Sequence, residues 1–121
     1  MNYLLIFVGG GIGSVCRYII NQGLHKYSFA FPWATFIANA LSCMLFGVVA
    51  ALLLKNKLAP AQGILLLTGF CGGFSTFSAF TNETFLLFQN GQSLYATLNI
   101  IANVVVCIVC LYIALKITSF F

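Results

Sequence analysis

Charge is what this sequence has least of. Its 121 residues include five Lys or Arg and one acid, Glu83, so that charged residues make up 5% of the chain. A soluble domain carries about 25%, because its surface must be wetted. With 62% hydrophobic residues and a mean hydropathy of +1.09, too little polar surface is left to cover a globule. Lipid is the natural solvent.

Room outside the membrane is equally short. A bilayer core about 30 Å thick takes roughly 20 helical residues per crossing. Four crossings use roughly 80, leaving only short connections. That excludes an extramembrane nucleotide-binding or catalytic module, and neither enzymatic activity nor a nucleic-acid partner is expected. A basic leader is missing too: Met1-Asn2-Tyr3 runs straight into apolar residues with no small-residue cleavage site before the first loop, so a cleavable signal peptide is not expected. Five cysteines, Cys16, Cys43, Cys71, Cys107 and Cys110, are scattered through the apolar segments. Cys107 and Cys110 share a helical face, which suggests a metal, but no His or carboxylate sits nearby to complete a site. They read as small buried hydrophobes.

What is present falls into four apolar runs, at about 3–21, 32–54, 62–89 and 93–116. Pro32 and Pro60 stand at the openings of the second and third, where proline is tolerated. Trp33 reads as an interfacial anchor, and Lys55-Asn56-Lys57 and Asn90-Gly91 mark connections. The expectation is an all-α integral membrane protein, a single four-helix transmembrane domain over 1–121. Lys55, Lys57 and Lys116 fall on one side of such a bundle, against Arg17 and Lys26 on the other. So even a bias permits insertion both ways round and pairing with an inverted copy. A small protein with weakly specified topology accounts for it as well.

Polar residues inside the runs carry the chemistry. In the first, Gly9-Gly10-Gly11-Ile12-Gly13-Ser14 offers two bare faces for close helix contact. It lacks the surrounding strand and following acid of a dinucleotide loop. Arg17, one turn on, either snorkels to the interface or sets a fixed charge at a vestibule. In the second run Thr35, Asn39, Ser42 and Phe46 form a stripe at helical spacing, and in the fourth Asn99, Asn103 and Cys107 form another. Amides in mid-bilayer hydrogen-bond between helices or line water, and two such stripes in so small a protein favour a polar pathway.

The third run is the richest, with Gly69-Phe70-Cys71-Gly72-Gly73-Phe74-Ser75-Thr76-Phe77-Ser78-Ala79-Phe80. Each mid-helix glycine costs about 1 kcal/mol relative to alanine, so a break is expected near 72–76. Carbonyls freed at such a break are tolerated only where buried in protein, lining a wet cavity or binding an ion; a purely structural kink is the alternative. Past it, Phe77, Phe80, Thr81 and Thr84 share a face. Ring edges carry partial positive charge, and with nearby hydroxyls they can replace an anion's hydration. Glu83 is either a proton carrier or cation ligand, or the partner of a rim residue such as Arg17.

These residues resemble the small fluoride channels of the CrcB/Fluc family over nearly the whole chain. The likeness lies in Gly9-Gly10-x-x-Gly13-x-x-x-Arg17-Tyr18, in Asn39, and in the stretch from Gly69 to Phe80. It implies a passive channel exporting fluoride from the cytoplasm and limiting its toxicity, multi-pass in the plasma or inner membrane. It implies an antiparallel, dual-topology dimer, and leaves open a heterodimer with a paralogous subunit. A structural sodium ion would be held by backbone carbonyls of Gly72 and Ser75. Phe77, Phe80 and Asn39 would line the fluoride pathway, with Ser78, Thr81 and Asn103 beside them and Arg17 in the vestibule. Two departures stand out: Ser75 and Ala79 where the family often has threonine, and Asn99, Asn103 and Cys107 where its fourth helix offers hydroxyls. The rival readings are a small proton-coupled multidrug exporter, which wants a carboxylate in the first helix that this chain lacks, and a non-transporting membrane assembly subunit, which leaves both polar stripes idle.

Overall fold

A computed structural model describes residues 1–28 and 30–121. Among these residues every regular element is a helix, and there is no strand. Four helical segments are long and apolar enough to cross a membrane: Asn2–His25, Trp33–Leu54, Pro60–Gln89 and Ser93–Phe120. The first, second and fourth are single helices, here α1, α2 and α6. The third is composite. It opens as α3 (Pro60–Gly63), widens into a π-helical stretch (Ile64–Cys71), closes as α4 (Gly72–Phe74) and resumes as α5 (Phe77–Gln89).

Local chemistry fixes the ends. Pro60 heads α3, and the Gln62 side chain accepts the Ala59 N–H at 2.8 Å. At the far end of α2, Asn56 takes a left-handed conformation (φ 55°), and Lys57 N–H reaches back to Leu52 O at 2.9 Å. Gly91 (φ 74°) ends α5 in the same way, with Gln92 N–H donating to Leu87 O at 2.8 Å. Both are Schellman closures, and they turn the chain sharply enough for consecutive helices to pack antiparallel.

Packing is two by two: α2 lies along α6, and α1 lies along the π-helical stretch and α4. The second contact depends on glycine. A Cβ on Gly13 would meet the Phe70 carbonyl and come within 2.8 Å of Phe74 N, while one on Gly9 would come within 2.9 Å of Phe70 N. From the other side, a Cβ on Gly73 would lie 2.9 Å from Gly10 Cα. Backbone therefore rests on backbone, as the glycine faces of the first run require. The interior is small and partly polar: Ala38, Val49, Ala96 and Ala114 are buried beside Thr35, Ser42, Thr84, Asn99 and Asn103. Large apolar side chains, among them Phe7, Val15, Val104 and Ile108, face outward, the inverse of a water-soluble fold and suited to lipid.

Candidate functional site

Between α4 and α5 the backbone leaves the helical path for two residues, Ser75 (φ −81°, ψ 155°) and Thr76 (φ −150°, ψ 121°). Gly72 itself is helical (φ −62°, ψ −34°). The departure is held by named bonds. Ser75 closes the first half, its N–H and its hydroxyl both donating to Cys71 O, at 3.0 and 2.8 Å. Ser42 of α2 adds a third donor to that carbonyl at 3.3 Å. Thr76 starts the second half as its N-cap, its hydroxyl oxygen accepting from Ala79 N–H at 3.3 Å.

The decisive bond is the next one. In a continuous α-helix Thr76 N–H would donate to the Gly72 carbonyl. Here it donates to Asn39 Oδ1 of α2 at 2.9 Å. That leaves the Gly72 carbonyl without its helical donor, beside a Gly72 Cα whose outer side is open. Asn39 also donates through Nδ2 to Asn103 Oδ1 of α6 at 3.1 Å. Asn103 in turn donates to Asn99 Oδ1 at 2.8 Å, Asn99 donates to Thr84 Oγ1 at 2.9 Å, and Thr84 donates to Phe80 O at 2.8 Å. The chain of bonds runs from the interruption across α2 and α6 and back to α5. In an apolar setting such a network is rigid because each member's partner is costly to lose.

This network floors a cavity of about 250 Å³ whose lining includes Asn39, Ser75, Thr76, Phe77, Phe80 and Asn103. Phe77 and Phe80 stand with ring centroids 5.6 Å apart and tilted by 45°, and Phe77 is 78% exposed. The N-terminal end of α5, with its partial positive charge, opens on the same space. A neighbouring cavity of about 330 Å³ is bordered by Ser42, Cys43, Phe46, Cys71, Gly72 and Ser75. The two half-helix ends thus present opposite character: carbonyls on the Gly72 side, N–H groups and ring edges on the Phe77 side.

Of the residues singled out in the sequence, Asn39, Phe77, Phe80 and Asn103 are brought together, with Ser75 shared between the two cavities. Ser78 is exposed, its hydroxyl 3.1 Å from that of Thr76. Thr81 is exposed as well and donates to Phe77 O at 2.8 Å, so it does not share the buried face of Thr84. Asn99 is 1% exposed and braces α6 against α5 rather than facing the cavity. Arg17 lies on α1, apart from this cluster, with its Nε buried and unbonded among the described residues. Glu83 does not pair with Arg17. Its Oε1 accepts from Thr35 Oγ1 at 2.6 Å, and Oε2 has no partner among the described residues. Thr76 was without a role in the sequence reading; its place between two helical patterns is the N-cap signal that finds it.

These features define a class: a multi-pass helical membrane protein with a cavity, walled mainly by apolar side chains and edged by two Asn amides, gathered around an interruption in its third segment. Residues 4–115 match the family described as CrcB-like protein, Camphor Resistance (CrcB). Curated relatives are similar over most of their length. The protein named fluoride-specific ion channel FluC in Prosthecochloris aestuarii is 40% identical over 113 residues, covering 93% of this chain and 88% of its own. Proteins of that name in Azobacteroides pseudotrichonymphae and Flavobacterium psychrophilum are 44% and 45% identical, each over 82% of this chain and over 84% and 82% of their own. The chain belongs to the CrcB-like family.

Proposed function

We propose that this protein is a fluoride-selective channel of the cell membrane, which transports and catalyses no reaction, and that fluoride passes the cavity formed by Asn39, Phe77, Phe80 and Asn103. The observation that carries the reading is the meeting of the two phenyl rings with the amide network at the N-terminal end of α5. Fluoride is small and strongly hydrated. Replacing its water takes several close, weak donors rather than one strong charge, which would bind it too tightly to let it leave. Ring edges, an Asn amide and the positive end of a helix are such donors. The rival exporter finds no support, since α1 contains no carboxylate, and an assembly subunit would have no use for the cavity. The curated relatives carry the name of fluoride channels.

The same reading puts the interruption at Ser75–Thr76 in mid-membrane and pairs the protomer with an inverted copy, in a homodimer or with a paralogous subunit. The near-even charge distribution supports insertion both ways, and the exposed Phe77 and the open side of Gly72 support a partner against this face. A sodium ion fits the carbonyl side. Hard oxygen ligands suit it, the Gly72 carbonyl has lost its helical donor to Asn39, and the extended backbone turns the Ser75 carbonyl out of the helical ladder. Gly72 and Ser75 would hold it as a structural cation between protomers. Arg17, two turns before the end of α1, and Ser78 and Thr81 on the exposed face of α5 belong to the approach rather than to the narrow part.

The test is fluoride efflux from proteoliposomes, read with a fluoride electrode. The wild-type protein releases trapped fluoride and leaves chloride inside. Phe80→Ala lowers the rate at least about tenfold, the scale of losing one well-placed interaction along a barrier, while eluting at the wild-type size. Wild-type flux in Phe80→Ala removes the ring from the pathway, and liposomes that never release fluoride sink the channel reading itself.

A further inference from the structure

The pathway makes no use of a group of thiols at the α2–α6 contact. Along that contact the side chains of Cys43 on α2 and Cys107 on α6 are neighbours across the two helices, in the wall of one cavity. Cys110 stands a turn further along α6 in C-x-x-C spacing with Cys107. Cys43 and Cys107 are free and half-buried, and both line the cavity of Phe77, Phe80 and Asn39. Cys43 also borders the adjoining cavity with Gly72 and Ser75. Among the described residues no group of three or more His, Cys, Asp or Glu is arranged to hold a metal, which excludes a tetrahedral zinc site. Two facing thiols suit another class of ion. Soft thiolates select soft cations such as copper(I), and univalent ions of that kind accept linear coordination by two sulfurs.

We propose that Cys43 and Cys107 form a two-thiol site for a soft univalent cation, of the copper(I) and silver(I) class, and that its occupation shuts the cavity to fluoride. The second part rests on the channel reading above. Each thiol releases its proton to solvent as one sulfur–metal bond forms; no electron is transferred and no oxidant is needed. The product, two thiolates around one univalent cation, bears a single net negative charge. It sits in the wall of a cavity bounded mainly by apolar side chains, where screening is weak, and repels an approaching anion as well as narrowing its route.

Silver(I), added as nitrate to purified protein in chloride-free buffer, is the probe. An excess of a monothiol then strips silver from isolated cysteines, whereas a facing pair keeps it, because its second bond forms intramolecularly. Elemental analysis of wild-type protein and of Cys16→Ser finds one silver retained per chain. Cys43→Ser and Cys107→Ser retain none, and Cys43→Ala and Cys107→Ala, smaller and apolar, repeat the comparison should a serine variant misfold. Retention at the wild-type level in folded Cys43 and Cys107 variants overturns the site. In proteoliposomes each protein is compared with its own silver-free flux. Silver lowers wild-type fluoride efflux at least about tenfold, as closure of a pore requires, and leaves the Cys43→Ser rate unchanged. Silver bound by the pair with full flux overturns the occlusion. Absence of flux before silver is added overturns the channel reading instead, and the binding measurement stands apart from it.

Discussion

Replacing Asn39 by alanine tests the central feature of the site. The substitution deletes two bonds at once, from Thr76 N–H to Oδ1 and from Nδ2 to Asn103 Oδ1. Polar contacts between helices in a membrane average about 0.6 kcal/mol and reach about 1.7. A buried partner left unsatisfied costs about 1–3 kcal/mol. Thr76 is half-buried beside a cavity that can admit water, so the lower part of that range applies, and the total loss of stability is about 1–3 kcal/mol. The functional effect follows from geometry rather than from stability. Freed from Asn39, Thr76 N–H regains the Gly72 carbonyl as its acceptor, the segment straightens, and Phe77 and Phe80 are carried off the cavity. Flux falls at least about tenfold, a change of about 1.4 kcal/mol or more in the barrier. Asn103→Ala supplies the contrast. It removes more bonds, those to Asn99 as well as that from Asn39, yet leaves Thr76 tied to Asn39. Thermal unfolding in detergent ranks Asn103→Ala as the less stable, and fluoride efflux ranks Asn39→Ala as the less active. If the two orders coincide, or if Asn39→Ala conducts normally, the bond to Thr76 is not what shapes the site.

Two glycines separate packing within the chain from the packing proposed between protomers. Gly13→Ala drives a Cβ into the backbone of Phe70 and Phe74, and overpacking of that kind costs about 1–3 kcal/mol, seen as a lower unfolding temperature and yield. Gly72→Ala meets nothing within 4 Å in the protomer, so it leaves protomer stability intact and lowers the dimer fraction in size-exclusion chromatography. Thr35→Val removes the hydroxyl that bonds Glu83 Oε1 and leaves a half-buried carboxylate with neither oxygen bonded, lowering stability by about 1–3 kcal/mol in detergent unfolding. In a background without native cysteines, Lys57→Cys reacts with impermeant maleimide from both faces of the membrane; one-sided labelling refutes dual insertion.

Composition alone settles that this chain lives in lipid and crosses it with four helices, because 5% charge cannot wet a globule and each apolar run is long enough to span. The turn residues were equally legible, since Asn56 and Gly91 adopt the left-handed conformation that their types favour. Glycine spacing marks which face of α1 is bare, and the contact with Phe70, Gly73 and Phe74 follows from it. Residue type could not say which polar groups find each other. Asn39, Asn99 and Asn103 look alike on a helical wheel, yet Asn99 is a brace and the other two face the cavity, a distinction set by the packing of α6 on α2 and α5. Glu83 took Thr35 rather than Arg17 for the same reason, partner choice being a matter of distance across helices. The local sequence brackets the place where the third segment leaves its helix, near 72–76, without fixing the residue. Gly72 and Gly73 weaken it, but both remain helical, and the backbone departs at Ser75 and Thr76 because α2 brings Asn39 there to take an N–H that the helix would otherwise have kept.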